Sequence, residues 1–347
     1  MKELTLVATG LYVPGIALLA ALFRGVGERF WLLCPLVFMP ILLWLLPLAV
    51  LVPATWKFER RLLPCLAVPL LVIVFGIGGY RLRVRLPSPT PGAGTLKVLT
   101  YNSGEDNNTS VVPFAKAEQP DLILLQDVKP PRRKPAFFAQ FPDYHRKQIG
   151  DFVMLSRFPI LTCKPILSGL EEWEDPVAAA FIVDWHGTPV TVYSVHFPTL
   201  RRDYWDLRGE TPRSAKTPAR RRVGTFRDRM KQRDAMIDEF SRLAANTSGA
   251  VLAVGDFNMP SWGHFHARVS QRLTDAFEVA GQGFGFTFPG FDPALPTFFG
   301  AWLRLDYLFC NGAWKPLSCK VEHGRASQHR AVVATFEAVG GKTGTSR

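Results

Sequence analysis

The chain has 347 residues, of which 48% are hydrophobic, 12% aromatic and 20% charged, and its 41 basic and 29 acidic residues give a net charge of +12. This composition excludes a disordered chain, and 28 glycines without a triplet period exclude a collagen-like one. The charges are unevenly distributed, since residues 1–95 hold 9 basic and 3 acidic residues whereas residues 96–347 hold 32 and 26. The sequence therefore predicts two parts of different character.

Residues 1–85 contain three long charge-free runs and are predicted to form a membrane domain. The first run, residues 4–23, has 20 residues, which at about 1.5 Å per residue is enough to cross a hydrocarbon core of about 30 Å. Residues 30–56 and 62–80 follow, and the four prolines of the second run predict a kinked helix. A cleaved signal peptide would explain only the first run. We therefore expect three transmembrane helices in a multi-pass protein of the cell membrane, in an orientation that the flanking Lys and Arg residues leave open.

Residues 86–95 (LPSPTPGAGT) have the composition of a semi-rigid linker to a second domain, residues 96–338. Short apolar runs in that domain are typical of buried strands, namely residues 96–101, 121–126, 152–156, 181–184, 190–195, 251–254, 303–309 and 331–336. A later helix is predicted to have an apolar face made of Phe226, Met230, Ile237, Phe240 and Leu243. Strands with intervening helices indicate a mixed sheet in an α/β or α+β domain, followed by a flexible tail at residues 339–347.

The ends of several predicted strands carry residues that are able to take part in chemistry. The set comprises Asn102, Asp127, His196, Asp256, Asn258, Asp306 and His329. Each of them alone has a structural interpretation, such as a helix cap, a turn or a buried histidine. Together they fit phosphoester hydrolysis, because carboxylates bind Mg²⁺ or Mn²⁺ and histidines stabilise the charge of a phosphoryl group during transfer.

The order of the motifs around these residues resembles that of the endonuclease/exonuclease/phosphatase superfamily, which includes DNase I, inositol polyphosphate phosphatases and neutral sphingomyelinases. The motifs are TYN at 100–102, LLQD at 124–127, LSRFPI at 155–160, VHFP at 195–198, GDFN at 255–258, LDYLF at 305–309 and SQHRAVVA at 327–334. The resemblance implies a four-layer sandwich of two facing mixed β-sheets flanked by helices. It also implies a site at one edge of the sheets.

The same resemblance implies catalytic roles for five residues. Asp256 would orient or deprotonate the attacking water, with Asn258 as its partner. Asp306 would orient His329, and His329 and His196 would face the phosphoryl oxygens. The implied reaction is in-line attack of water on phosphorus, with fixed donors that stabilise the developing charge.

Four further residues are predicted to bind substrate or metal by the same resemblance. Asn102 would lie close to the phosphate, and Arg229 belongs to an R-x-x-Q pattern of the family. Asp127 occupies the position of the metal-binding acid, with Mg²⁺ or Mn²⁺ as the cofactor, although it is shorter than the usual Glu by one methylene, about 1.5 Å of reach. Gln328 stands where the family usually has Asp and supplies an oxygen without charge. Both departures lower the expected affinity for the metal.

The strongest concentration of charge lies in residues 201–233, which hold 12 basic and 4 acidic residues directly after VHFP. Such a segment fits a nucleic-acid backbone, an anionic membrane surface or a solvated helix face. The short linker to three spans favours the membrane, so the leading prediction is a membrane-anchored, metal-dependent phosphoesterase acting on a lipid-linked phosphate ester. The alternatives are a membrane-tethered nuclease, with nucleic acid as the phosphate-ester partner, and a catalytically weakened binding protein of the same fold.

Overall fold

The computed structural model describes residues 1–83, 94–104, 108–128, 135–167, 176–212, 214–290, 300–323 and 328–340. Most of the predicted linker and residues 341–347 of the predicted tail lie outside these ranges. The first strand of the second domain begins at Thr95 and its last strand ends at Ala338. The division of the chain into domains at residues 85, 96 and 338 stays a prediction.

The N-terminal part is helical and largely apolar on its surface. Its helices are α1 (Lys2–Gly25), α2 (Cys34–Val37), α3 (Ile41–Phe58) and α4 (Leu63–Leu71). Three helical stretches are long and apolar enough to cross a membrane, namely Lys2–Gly25, Ile41–Phe58 and Arg60–Ile77, and at most 22% of each is buried within the protein. Lys2 pairs with Glu59 at 3.0 Å, so the chain start and the turn between α3 and α4 lie at the same end of the bundle.

The second apolar run differs from its predicted form. The long helix in this run is α3, which begins at Ile41 rather than near residue 30. Pro40 directly precedes it with non-helical angles of φ −55° and ψ 134°, and a proline also disfavours helical geometry in the residue before it. Residues 26–40, here called the interhelix loop, instead form turns and the four-residue helix α2.

The interhelix loop packs against the second domain. The indole nitrogen of Trp262 donates a hydrogen bond of 2.8 Å to the carbonyl of Val37. The carboxylate of Glu28 is fully buried and accepts a hydrogen bond of 2.7 Å from the backbone nitrogen of His264. A Cβ atom at Gly263 would overlap this carboxylate, so the glycine allows the close approach. The loop is therefore fixed to the second domain by hydrogen bonds as well as by apolar contacts.

The second domain contains two six-stranded sheets and six helices among the described residues. The helices are α5 (Val112–Glu118), α6 (Pro135–Phe138), α7 (Arg201–Arg208), α8 (Ala219–Asn246), α9 (His264–Val269) and α10 (Ala276–Ala280). The strands are β1 (Thr95–Asn102), β2 (Leu122–Gln126), β3 (His145–Ile149), β4 (Phe152–Ser156), β5 (Ile160–Ile166), β6 (Ala178–Trp185), β7 (Thr188–His196), β8 (Ala250–Asp256), β9 (Thr274–Asp275), β10 (Asp306–Cys310), β11 (Trp314–Val321) and β12 (Val332–Ala338). The sheet orders are β11-β12-β1-β2-β4-β3 and β5-β6-β7-β8-β10-β9.

The apolar cores define a four-layer arrangement. One core lies between the sheets and includes Leu124 and Phe181, because strands that are buried on both faces need apolar residues on both. A second core joins the second sheet to α8 around Phe257, and a third joins the first sheet to α5 and α6 around Tyr101. The predicted sandwich of two mixed sheets flanked by helices is confirmed.

The predicted apolar face of α8 divides between two partners. Four of its five residues are buried, namely Phe226, Met230, Ile237 and Phe240, whereas Leu243 is 40% exposed. The first two pack with Cys34 of the interhelix loop, and the Sγ atom of Cys34 lies 3.6 Å from the Sδ atom of Met230. The last two join the core of the second sheet. Helix α8 therefore connects the membrane-type helices to the sheet that carries half of the site.

Candidate active site

The predicted site residues meet at one edge of the two sheets. His196 ends β7 and Asp256 ends the parallel strand β8, where the two residues are in register. Asp306 begins the antiparallel strand β10 opposite Asp256. Asn102 ends β1 of the facing sheet, and His329 precedes β12. Strand ends and strand starts coincide at this edge because β10 and β12 run antiparallel to their neighbours, so residues from all parts of the domain converge there.

Asp256 lies at the centre of the cluster. Its Oδ2 atom accepts a hydrogen bond of 2.8 Å from the Nδ2 atom of Asn102 and one of 3.1 Å from the Nδ2 atom of Asn258. Its Oδ1 atom accepts a bond of 2.8 Å from the backbone nitrogen of Asn258. The Nε2 atoms of His196 and His329 each lie 3.8 Å from Oδ2. A buried carboxylate with this number of donors is held in a single orientation.

His329 and Asp306 form a buried pair. The Nδ1 atom of His329 lies 2.9 Å from the Oδ2 atom of Asp306. Burial opposes the charged form of the imidazole, but the carboxylates of Asp306 and Asp256 outweigh it and raise the pKa of His329 to about 9. Burial raises the pKa of Asp306, and the charge of His329 opposes that shift. The pair therefore holds a proton at neutral pH, with Nε2 directed towards Asp256.

The loop after β8 has a backbone that places Asn258 beside Asp256. Gly255 has a φ of 139°, and a Cβ atom there would overlap the carbonyl of Val195 on the neighbouring strand. Asn258 has a φ of 50°, in the left-handed region that asparagine tolerates better than most residues. Its Nδ2 atom also donates 2.8 Å to the carbonyl of Phe197. Gly255 and Asn258 of the GDFN motif thus both have backbone conformations that the geometry of this loop requires.

A buried arginine on α8 supports the same loops and was not among the predicted site residues. The guanidinium of Arg233 donates to the carbonyl oxygens of Pro198, Phe257 and Asn258, the last at 2.6 Å. The sequence pattern indicated Arg229, one turn earlier, which is half-buried and lies outside the cavity lining defined by the described residues. The sequence signal for the burial of Arg233 is its spacing from Phe226, Met230 and Ile237, which places it on the apolar face of α8. The predicted contact of Arg229 with substrate stays a prediction.

A second supporting residue, Gln126, links the two sheets behind the site. Its Nε2 atom donates a hydrogen bond of 2.9 Å to the Oγ atom of Ser194 on β7 and one of 3.1 Å to the Oγ1 atom of Thr100 on β1. Asp127 directly follows Gln126 in sequence, and His196 lies two positions after Ser194. The sequence signal for this residue is its position at the end of the apolar run LILLQ, and the structure shows that it is fully buried.

The oxygen donors of this cavity are suitable ligands for a hard divalent cation. Asp127 and Gln328 line the same cavity as Asn102, and carboxylate and amide oxygens are the donors that Mg²⁺ and Mn²⁺ prefer. Asp127 has a φ of 57°, and the Oγ atom of Ser103 donates 2.9 Å to its carbonyl, which fixes this turn. The Oδ1 atom of Asp306 is buried without a hydrogen-bond partner among the described residues. The expected low affinity of Asp127 and Gln328 for the metal stays a prediction.

The cluster opens into a cavity of about 620 Å³. One part of its lining is polar and contains Asp127, His196, Asp256 and Gln328 of the predicted site. Arg201 and Arg208 of α7 also contribute to the lining, so the basic segment after VHFP lies beside the site, as its sequence position indicated. The volume is within the range of about 300 to 1,000 Å³ that is usual for small-molecule sites.

A family model for endonuclease/exonuclease/phosphatase proteins matches residues 99–329, which include all these clustered residues. The chain belongs to the endonuclease/exonuclease/phosphatase family. The members of this family are hydrolases that act on phosphoester bonds, and family membership assigns the chain to this class of enzyme. The resemblance of the motifs to that superfamily is confirmed.

Solved structures with the same fold include three from different organisms. A family protein from Bacteroides vulgatus has 15% identity and a TM-score of 0.51, and the match covers 71% of this chain and 99% of that chain. Truncated Caenorhabditis elegans TDP2 has 20% identity and a TM-score of 0.50, with 70% and 98% covered. A functionally unknown protein from Enterococcus faecalis V583 has 15% identity and a TM-score of 0.50, with 70% and 100% covered. At these identities the likeness concerns the fold. The comparison with curated proteins gave no match.

Proposed function

We propose that this chain is a membrane-anchored, divalent-metal-dependent phosphoesterase that hydrolyses a lipid-linked phosphate ester. The observation that carries the hydrolytic part is the convergence of two histidines on one oxygen of Asp256, each at 3.8 Å. An anion that enters the cavity meets these imidazoles beside a carboxylate that is held by Asn102 and Asn258. This combination stabilises a phosphoryl group and activates a water molecule within a few ångströms of each other.

In this proposal Asp256 accepts a proton from the attacking water while the water oxygen forms a bond to phosphorus. The bond from phosphorus to the leaving oxygen breaks on the opposite side, and the leaving oxygen keeps the electron pair of that bond and takes up a proton from solvent. His329 is protonated because it is paired with Asp306, and its Nε2 atom stabilises the phosphoryl oxygens. His196 faces the same oxygens. Asp127 and Gln328, beside Asn102, would hold Mg²⁺ or Mn²⁺, which when bound supplies positive charge against the phosphoryl oxygens.

The lipid-linked class of substrate is supported by the position of the site relative to the apolar helices. Residues of the interhelix loop line the same cavity as Asp256. The same end of the helical bundle makes further contacts with the second domain. Arg24, at the end of α1, donates a hydrogen bond of 3.3 Å to the carbonyl of Ser261, and Arg81, after the third span, pairs with Glu278 at 2.7 Å. A bilayer around the three helices would therefore lie directly beside the cavity.

A membrane-tethered nuclease is the second candidate. The observation that favours it is the presence of Arg201 and Arg208 in the cavity lining, within a segment that has 12 basic residues. The lipid proposal explains these arginines equally well, because a lipid headgroup is also anionic. It also explains the apolar helices, which nucleic acid does not require.

The test is a comparison of substrates and variants with the purified full chain in lipid nanodiscs. With Mg²⁺ or Mn²⁺ we expect release of phosphate or headgroup from phospholipid or polyprenyl phosphate, and a loss of about a thousandfold in Asp256→Asn. Asp228→Asn is the matched control, because Asp228 is 70% exposed on α8. Equal rates for Asp256→Asn and the native protein would contradict the proposal. Nicking of plasmid DNA with a steep dependence on salt, without lipid hydrolysis, would favour the nuclease.

A further inference from the structure

The cavity has an apolar side that the hydrolytic chemistry does not need. We call this side the apolar wall, and it consists of Pro35, Phe38, Met39, Leu200, Tyr204 and Trp302. The rings of Phe38 and Tyr204 meet edge to face at 6.5 Å, and the indole nitrogen of Trp302 donates 3.4 Å to the carbonyl of Phe38. These contacts join the wall into one surface within the cavity that Asp256 and His329 also line.

Half of the apolar wall comes from the interhelix loop, which stands outside the region matched by the family model. This loop is held in place from the other side by the buried Glu28 and by an ion pair of 2.9 Å between Arg29 and Asp234 of α8. Together with the hydrogen bonds from Trp262 to the carbonyl of Val37 and from Trp302 to the carbonyl of Phe38, these contacts fix Phe38 and Met39 before any ligand enters. A preformed wall binds an apolar group without the entropic cost of ordering a loop.

The apolar wall continues into the surface of α3. Met39 is 38% exposed and precedes Ile41, the first residue of α3, by two positions, or about 7 Å of chain. The next residues on the helix surface are apolar and exposed, with Leu42 at 43% and Leu46 at 60%. A hydrocarbon chain beside α3 is therefore within reach of the cavity without crossing a polar surface.

We infer that the apolar wall binds the hydrocarbon chain of an amphiphilic phosphate ester while its phosphate lies at Asp256, His196 and His329. This inference rests on the proposed function and assigns a further role to the interhelix loop, which is a substrate-binding element as well as a connection between two spans. Arg201 and Arg208 lie in the same cavity and match the negative charge next to the chain. The ligand is thus an anion with a long apolar substituent close to phosphorus.

The test uses soluble substrates that differ only in chain length, namely the ethyl, hexyl and decyl esters of p-nitrophenyl phosphate, each below its critical micelle concentration. Burial of one methylene is worth about a fourfold change in affinity. If at least four of the additional methylenes of the decyl ester contact the wall, kcat/KM rises by about two orders of magnitude from ethyl to decyl in the native chain. Equal kcat/KM for the three esters would overturn the inference.

Variants of the interhelix loop locate the effect. Phe38→Ala and Met39→Gln are expected to lower kcat/KM for the decyl ester about tenfold and to leave the ethyl ester within about twofold. Met39→Gln keeps the length of an exposed side chain, so it tests the wall if Phe38→Ala fails to fold. Leu32→Ala is the matched control, because Leu32 is 53% exposed on the same loop and is not part of the cavity lining among the described residues.

The results separate the inference from the proposed function. If none of the three esters and no lipid is hydrolysed, the proposed function fails and the inference fails with it. If the esters are hydrolysed without regard to chain length, or if the loop variants reduce ethyl and decyl hydrolysis equally, the inference alone fails. A loss confined to long chains supports both.

Discussion

The Nδ1 atom of His329 lies 2.9 Å from the Oδ2 atom of Asp306, although 23 positions separate the two residues in sequence. This contact turns the opposite ring nitrogen of His329 towards Asp256. It also keeps a proton on the pair, because burial and two nearby carboxylates leave the pKa of His329 at about 9. The pair therefore keeps a proton at neutral pH, where an isolated histidine is mostly uncharged.

Asp306→Asn removes the charge that holds the imidazolium and keeps the shape of the side chain. We expect kcat to fall about a hundredfold, because a histidine that loses its carboxylate partner is less often protonated and less firmly oriented. The measurement is hydrolysis of a p-nitrophenyl phosphodiester by the chain in detergent. An undiminished kcat would contradict the assigned role, and Asp228→Asn controls for a general effect of lost negative charge.

Arg233→Lys tests the support of the two active-site loops. A lysine has a single ammonium group and is unable to reproduce the forked contacts of the guanidinium with the carbonyls of Pro198 and Asn258. We expect the free energy of unfolding to decrease by about 2 to 4 kcal/mol, since a buried carbonyl loses its donor. Thermal unfolding in detergent measures it. Arg227→Lys at an exposed position of α8 is expected to change stability by less than about 0.5 kcal/mol.

Removal of metal is expected to abolish hydrolysis, and addition of charge to the site is expected to reduce the amount of metal required. Gln328→Asp supplies a carboxylate beside Asp127, so the Mg²⁺ concentration for half-maximal activity should fall about tenfold. Asp127→Glu should act in the same direction by adding reach. Activity that persists at full rate in excess EDTA would contradict the proposed metal dependence.

Because Glu28 is buried between the interhelix loop and the second domain, we expect the stability of the folded chain to depend on pH. Burial raises the pKa of Glu28 from 4.5 to about 7, although the backbone nitrogen of His264 and the charge of Arg233 favour the ionised form. The folded chain therefore binds this proton more strongly than the unfolded chain. The resulting stabilisation is complete below pH 4.5 and is lost as the pH rises to about 7.

The expected size of this effect is about 3 kcal/mol between pH about 5 and pH about 8, from roughly 1.4 kcal/mol per pH unit. Thermal unfolding in detergent at the two pH values measures it, and Glu28→Gln should remove most of the difference. Glu3→Gln, at an exposed position of α1, should leave it intact. An equal pH dependence in Glu28→Gln and the native chain would show that another group is responsible.

Local patterns in the sequence were sufficient for the strands and for most of the site. Apolar runs such as residues 152–156 predicted β4 with its bounds, because a strand that is buried on both faces has little choice of residue type. Short polar motifs placed Asp256, Asn258 and Asp306 at strand ends, where the geometry of a sheet brings them together. The four edge strands β3, β5, β9 and β11 were missed, since none of them has a continuous apolar run.

What the sequence determined by itself was the list of chemical groups and the presence of three apolar helices, because both are properties of residue type and local spacing. The tertiary structure alone decided which groups the guanidinium of Arg233 contacts. Helical spacing places Arg233 on the apolar face of α8 but does not identify the loops that pack against it. It also decided that residues 30–40 leave the second predicted span and that Pro35, Phe38 and Met39 line the cavity. That outcome depends on contacts with residues such as Trp262 and Trp302, more than 200 positions away in sequence.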